Sequence, residues 1–325
     1  MANQNNDTIW AALLHFGMNM WNDQPVKAYK DYTQEELDLI AVADHLRFDE
    51  EVWRKVTERM AAVGMNMVVI DVGEGLQLKS HPELAVKGSW TVDRFHAELD
   101  RLRKMGLEPI PKLNFSSAHD IWLKEYSRML STPEYYRVCE DVISEVGEIF
   151  GKPRFFHLGY DEENWKCQRF CSFAVVRQGE QWWYDFLKIS GFAEKRGMRP
   201  WIWSDYAWDH AEEFISRMPR SVVQSNWYYG THFESSENPH RVIRCKTFGR
   251  LSDAGFDQIP CGSNYESDKN IGRLVQYCDK AVAPERLKGY LMAPWFATLP
   301  GKQERKLLEA MDQVGAAMKA RAKDA

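Results

Sequence analysis

Residues 155–165 read Phe-Phe-His-Leu-Gly-Tyr-Asp-Glu-Glu-Asn-Trp, passing from apolar to acidic within a few positions. Adjacent Asp161 and Glu162 are a poor choice for the interior of a strand. Both are costly to bury charged, and like charges side by side raise at least one pKa. At the exit of a strand, facing a pocket, the same cost is useful: one carboxyl stays protonated as a general acid while its neighbour stays ionised. An isolated Asp-Glu pair reads as a solvated acidic turn. Here His157 stands four residues before the pair, Gly159 two before it, and Trp165 after it, and together they favour a sugar site.

The run His157-Leu-Gly159-Tyr-Asp161-Glu162 resembles the His-x-Gly-x-Asp-Glu motif of the family-20 glycoside hydrolases, the β-N-acetylhexosaminidases and their relatives. There the motif ends the fourth strand of a TIM barrel. The resemblance implies Glu162 as general acid/base and Asp161 as the group that orients the substrate's 2-acetamido group; the adjoining Asp161 and desolvating aromatic walls add the expectation of a raised Glu162 pKa. The acetamido carbonyl oxygen, rather than an enzyme carboxylate, would attack the anomeric carbon, a substrate-assisted exception to the two-carboxylate rule. It also implies Tyr265 as a hydrogen-bond donor to the acetamido oxygen, Trp203, Trp227 and Trp295 as apolar walls, and His157 behind the pair. The chain departs from the family at three places. Strand 1 ends His15-Phe-Gly-Met-Asn19-Met-Trp21 with no arginine, Trp295 is followed by Phe296-Ala297-Thr298 with no acid, and Asn114-Phe-Ser-Ser-Ala-His119 replaces a Pro-Gly-His. These positions set which sugar fits.

Elements must then deliver such residues to one place. Amphipathic segments end in glycine at 64, 106, 151, 197 and 255, spaced by 42, 45, 46 and 58 residues, each followed at once by an apolar run. Glycine fits the left-handed position that ends a helix. Helix alternating with strand gives a parallel sheet, and eight units close a barrel. The strands read are 9–16, 67–72, 108–114, 155–160, 200–204, 222–227, 258–262 and 289–294. Asp49 and Thr91 are N-cap candidates and Pro133 opens a helix. The expected fold is one (β/α)8 TIM barrel over 1–325, with 22–47 an added loop or lid, helical over Thr33–Leu46. In such a barrel the strand exits form the site. They carry His15, Asn19, Asp71, Lys112, Asn114, His157, Asp161, Glu162, Trp203, Asp205, Trp227, Tyr265, Glu266 and Trp295. Asn114, Asp205 and Glu266 join His157 and the three tryptophans as expected substrate contacts, Asp71 or Lys112 alone is as good a structural ion pair, and His119 reads as a surface residue.

Composition bounds the partners. Net charge is −5, from 42 basic and 47 acidic residues. That disfavours nucleic acid or an anionic membrane as partner, and 13 tryptophans suit the stacking of sugar rings. Six scattered cysteines imply no disulfide framework, and Cys167-x-x-x-Cys171 lacks a second pair at zinc spacing, so no metal or cofactor is expected. No apolar run reaches membrane-spanning length, and the polar Met1–Thr8 shows no leader, which makes the cytoplasm the default location. Two rival functions remain open: a retaining glycosidase with Glu162 and Glu266 as its two carboxylates, and a glycan-binding barrel without activity.

Overall fold

The computed structural model describes residues 8–30, 32–234 and 237–324. The segment ahead of Thr8, on which the leader expectation rests, lies outside the described residues. Eight parallel strands form one sheet: β1 (Ile9–His15), β2 (Met67–Asp71), β3 (Glu108–Lys112), β4 (Phe155–His157), β5 (Arg199–Trp203), β6 (Val223–Ser225), β7 (Cys261–Gly262) and β8 (Gly289–Met292). They are ordered β6-β5-β4-β3-β2-β1-β8-β7. The β6 and β7 edges meet through the parallel bridges Gln224–Gln258 and Trp227–Cys261, which close the sheet into the expected barrel.

Helices pack around it: α1 (Gln34–Leu39), α2 (Glu50–Val63), α3 (Val92–Lys104), α4 (Pro133–Ile149), α5 (Gly179–Lys195), α6 (Tyr206–Asp209), α7 (Ala211–Arg217), α8 (Pro239–Asp253), α9 (Asn270–Ala281) and α10 (Lys302–Asp324). Asp49 and Thr91 cap α2 and α3 by accepting from the backbone N–H three residues on. The five predicted stop glycines all have φ between +73° and +93°. Side chains such as Val52, Val56, Phe95, Leu99, Val142 and Phe186 bury against the outer face of the sheet. Leu13, Val69, Ile110, Phe155, Trp201 and Leu291 fill the barrel interior. Burial at about 25 cal/mol per Å² of apolar surface is the main term that holds these two layers together.

Several strands are shorter than the sequence predicts, and proline explains two of them. In β3 the N–H groups of alternate residues point to β2, as Glu108 does to Asn66 O. The other set would point to β4, but it holds Pro109 and Pro111, which have no N–H to give. The β3–β4 ladder is therefore reduced to the Lys112–His157 pair, with Leu113 N bonded to His157 O just above. Pro260 likewise interrupts β7, although Ile259 N still bonds to Gln224 O of β6 and Gln258 N to Arg286 O ahead of β8.

In the 22–47 connection only Gln34–Leu39 is helical, not Thr33–Leu46. A capping box between Thr33 and Glu36 starts α1. Beyond Ile40 the chain is drawn out across the exit of β1: Val42 N bonds to Asn22 O, Ala43 exchanges two hydrogen bonds with the Asn19 amide, and Arg47 binds the carbonyls of Asp38 and Leu39. No helix among the described residues is long and apolar enough to cross a membrane.

Candidate active site

The turn after β4 presents the acidic pair. Gly159, Tyr160 and Glu162 have φ of +74°, +70° and +54°. Left-handed backbone costs non-glycine residues about 1 kcal/mol or more each, and such strain persists only where the surroundings hold it. Gly159 has a second reason to lack a side chain: the Asn114 amide is packed directly against its Cα. Asn114 in turn bonds two residues of the turn and one of its own loop. Its Nδ2 donates to Asp161 Oδ1 at 2.7 Å, and its Oδ1 accepts from Tyr160 N at 3.3 Å and Ser116 N at 3.0 Å. Ser116 Oγ donates to the Asp161 carbonyl at 2.5 Å. The Asp161 carboxylate is thus locked in one orientation by the β3 exit.

His119, read from the sequence as a surface residue, is buried at the centre of the site. Its Nε2 lies 3.4 Å from both Asp161 Oδ2 and Glu162 Oε2. The loop after β3 folds back over the barrel mouth, with His119 N bonded to Ser116 O, and so turns the imidazole inward. Its place at a strand exit was the available signal. Burial pulls the His119 pKa down, but the charges of Asp161 and Glu162 outweigh it and raise the value to about 9. For Glu162, burial pulls upward, while the hydrogen bond and charge of His119 and the charge of Arg244 win, holding it below the usual carboxylate value. This corrects the expectation of a raised Glu162: near neutral pH the proton of the dyad resides on His119.

The carboxyl held well above its ordinary value is Asp205, through burial and then the charges of Asp161 and Glu162. Asp205 accepts from Trp227 Nε1 at 2.6 Å through one oxygen and from Glu162 N at 3.2 Å through the other. Proximity of three carboxyls cannot leave all of them ionised cheaply, so one keeps its proton.

Aromatic rings wall the barrel mouth. Trp203 lies 4.6 Å from His157 and 5.8 Å from Trp295, which is 5.8 Å from His15. Below them His15, Asp71, Lys112 and His157 stand at one level on adjacent strands, and Lys112 pairs with Asp71 at 2.5 Å in full burial. Asp71 and Lys112 are therefore a structural ion pair. Burial, then the Lys112 charge, drives the His157 pKa far down, so this imidazole is neutral. Its Nδ1 accepts from Gly159 N, which leaves the proton on Nε2. His157 Nε2, His15 Nε2 and Trp203 Nε1 have no protein partner among the described residues.

Two predicted site residues lie elsewhere. Tyr265 is 49 % exposed, and its hydroxyl is 2.6 Å from that of Tyr32 in the 22–47 connection. Glu266 faces Arg241 at 3.7 Å and is exposed. The tyrosine that joins the tryptophans is Tyr229, two residues after Trp227. Its ring stacks on Trp227 at 4.8 Å, and its hydroxyl accepts from Trp295 Nε1 at 2.8 Å. Asp205 and Asp161 are close enough to help raise its pKa after burial has done so. The run Trp227-Tyr228-Tyr229 at a strand exit was the signal missed.

Glu162 and Asp205 also line a cavity of about 690 Å³ that opens beside the barrel mouth. His119, Asp161 and Glu162 offer one ligand atom each within 4.8 Å of one another. One imidazole and two carboxylates could hold a divalent cation; with the histidine titrating near 9, a proton competes for that place at neutral pH.

By sequence, no family model matches the chain, and no curated protein matches it either. Solved structures do. A β-N-acetylhexosaminidase crystal structure superposes with a TM-score of 0.64 at 14 % identity, covering 97 % of this chain and 72 % of that one. Dispersin B gives 0.58 at 13 % identity over 83 % of this chain and 94 % of its own. The chitobiase of Flavobacterium johnsoniae gives 0.57 at 15 % identity over 85 % of this chain, which spans 50 % of the chitobiase. At such identities the likeness is one of fold: the barrel is that of the solved β-N-acetylhexosaminidases.

Proposed function

We propose that the protein is a glycoside hydrolase that acts on N-acetylhexosamine-containing glycans by substrate-assisted, retaining catalysis. The observation that carries this reading is the disposition of the acidic pair: Asp161 is fixed by Asn114 while Glu162 lies 3.4 Å from His119 Nε2. Solved structures that share the fold and are named as a β-N-acetylhexosaminidase or a β-N-acetylglucosaminidase point the same way. In the first step the proton held by His119 passes to Glu162 and on to the glycosidic oxygen as the C1–O bond breaks. The acetamido carbonyl oxygen forms the new bond to C1, giving a cyclic oxazolinium. Asp161 accepts the acetamido N–H, which pushes electron density onto that oxygen and stabilises the positive charge that develops. In the second step Glu162 takes a proton from water as the water attacks C1 and reopens the ring. Tyr229 accepts from Trp295 Nε1 through its hydroxyl oxygen and bonds Cys261 through the same hydroxyl; in this reading its proton turns from that sulfur to the acetamido oxygen. In this reading Trp203, Trp227 and Trp295 enclose the acetamido methyl group, and Tyr265, bonded to Tyr32, serves at the rim.

The two-carboxylate alternative finds less support, because Glu266 is engaged by Arg241 and the carboxyl bonded to the Glu162 backbone is Asp205. The decisive measurement is a panel of aryl β-glycosides with and without a 2-acetamido group. Hydrolysis confined to the acetamido sugars, with tight inhibition by a thiazoline analogue of the cyclic intermediate, supports the proposal. Hydrolysis of 2-hydroxy sugars without thiazoline inhibition overturns the mechanism, and no hydrolysis of any member overturns the enzymatic reading.

A further inference from the structure

The cavity beside Glu162 carries a charge that the proposed reaction does not use. Arg244, on the second turn of α8, lines it together with Trp165, Trp208, His240, Glu162 and Asp205. The Arg244 guanidinium lies 4.2 Å from the ring centroid of Trp208 and 4.2 Å from that of Trp227. Two indoles therefore fix the plane of the group, as cation–π contacts do, and much of the rotamer entropy of a long side chain is already spent before any ligand arrives. Trp227 is itself held by the Asp205 carboxyl, and Trp208 by Asn226, so the platform is rigid.

No hydrogen bond or ion pair engages the Arg244 guanidinium among the described residues, although its charge is close enough to help lower the Glu162 pKa and to oppose the rise of the Asp205 pKa. Arg177, on the same cavity wall, shows what a structural arginine does here. It pairs with Glu163 at 2.6 Å and Asp185 at 3.1 Å and bonds the Phe115 carbonyl. Arg244 by contrast keeps its fork of five N–H donors, whose geometry matches a carboxylate or sulfate bidentately. Lys166 and His240 add positive or ionisable character to the same wall, and Trp165, 63 % exposed, offers an indole face on which a sugar ring can stack.

Glu162 sits on the edge of this cavity, and a general acid must face the oxygen of the leaving group. We propose that the cavity is a leaving-group subsite for an acidic sugar, with Arg244 binding its carboxylate or sulfate and Trp165 covering its ring. This rests on the hydrolase reading for the direction of cleavage, but the binding itself does not depend on turnover.

The test separates the two. Methyl β-glucuronide, methyl β-glucoside 6-sulfate and neutral methyl β-glucoside are titrated against the full-length protein, by calorimetry or ligand-detected NMR, for wild type, Arg244→Met and Arg244→Lys. The expected result is that at least one anion binds tenfold or more tightly than the neutral glycoside. That preference should disappear in Arg244→Met and recover in part in Arg244→Lys, since charge returns without the planar fork. The anion that wins tells a uronic acid from a sulfated sugar. Melting curves identify a variant that fails to fold, in which case the wild-type preference and the Lys variant decide. Equal binding of all three glycosides to the wild type, or a preference that survives Arg244→Met in a folded protein, overturns the proposal. Anion binding with no hydrolysis of any N-acetylhexosaminide leaves the subsite standing and removes the hydrolase reading instead.

Discussion

A β-carbon placed on residue 159 would lie 1.9 Å from the Oδ1 of Asn114, the amide that holds Asp161. The glycine of the β4 turn is thus a spacer that admits the positioning residue, besides supplying its own φ of +74°. Gly159→Ala is expected to push the Asn114 amide aside and release the Asp161 carboxylate. Activity should fall at least tenfold, chiefly in kcat, with a stability loss of about 1–3 kcal/mol from left-handed strain and overpacking. Steady-state kinetics and thermal melting of the variant check both. A Gly159→Ala enzyme with wild-type kcat would show that Asn114 does not position Asp161.

Removal of the acid should depend on the leaving group. Glu162→Gln is expected to lower turnover by ~10²–10⁴ for aglycones that need protonation. The loss should shrink for phenols acidic enough to depart unaided. An equal loss across a series of aryl glycosides would assign the proton transfer to another group, with Asp205, whose pKa burial and the neighbouring carboxylates raise, first in line.

Asp161→Asn keeps the shape of the side chain and removes the charge that stabilises the oxazolinium. Because that charge exists only after the ground state, kcat should drop more than KM rises. A change confined to KM would make Asp161 a simple sugar ligand.

His119 gives the site a defined alkaline limit. Its pKa is raised from 6.5 to about 9 in the folded protein, so the charged interaction with Asp161 and Glu162 is fully present below about 6.5 and is lost as pH rises through about 9. kcat/KM is therefore expected to decline with an apparent pKa near 9, and wild-type stability should weaken over the same range. In His119→Gln both the limb and the stability change should vanish. A pH profile in the variant identical to that of the wild type would remove His119 from the proton path.

Asp120 offers a second test, in which burial itself raises the pKa. Its carboxyl is 1 % exposed, neither oxygen has a protein partner among the described residues, and burial raises its pKa from 3.8 to about 8. A raised acid destabilises the fold as pH climbs above 3.8, because the unfolded chain gives up a proton that the folded protein keeps until about 8. Asp120→Asn should therefore stabilise the protein at pH 7–8 by about 1–3 kcal/mol, and the gain should disappear near pH 3. Chemical denaturation at the two pH values reads the difference. A variant less stable at pH 8 would mean that the carboxyl itself is needed there.

The sequence by itself determined the alternation of helix and strand, the glycines that stop five helices in the left-handed region, and the caps at Asp49 and Thr91. These features are local: they depend on φ preferences and on hydrogen bonds that span three or four residues. The acidic pair after the fourth strand was legible for the same reason, since its meaning lies in adjacent positions. Pro109 and Pro111 were visible too, but their effect required knowing which neighbour each N–H faces. Tertiary structure alone decided that His119 turns inward and that Tyr229 rather than Tyr265 joins the tryptophans. It alone decided that the raised pKa expected for Glu162 belongs to Asp205 instead. A pKa is fixed by every charge within several ångströms. Those that act on Glu162 and Asp205 arrive from β3, β4, β5 and α8, across more than a hundred residues of chain that only the closed barrel brings together.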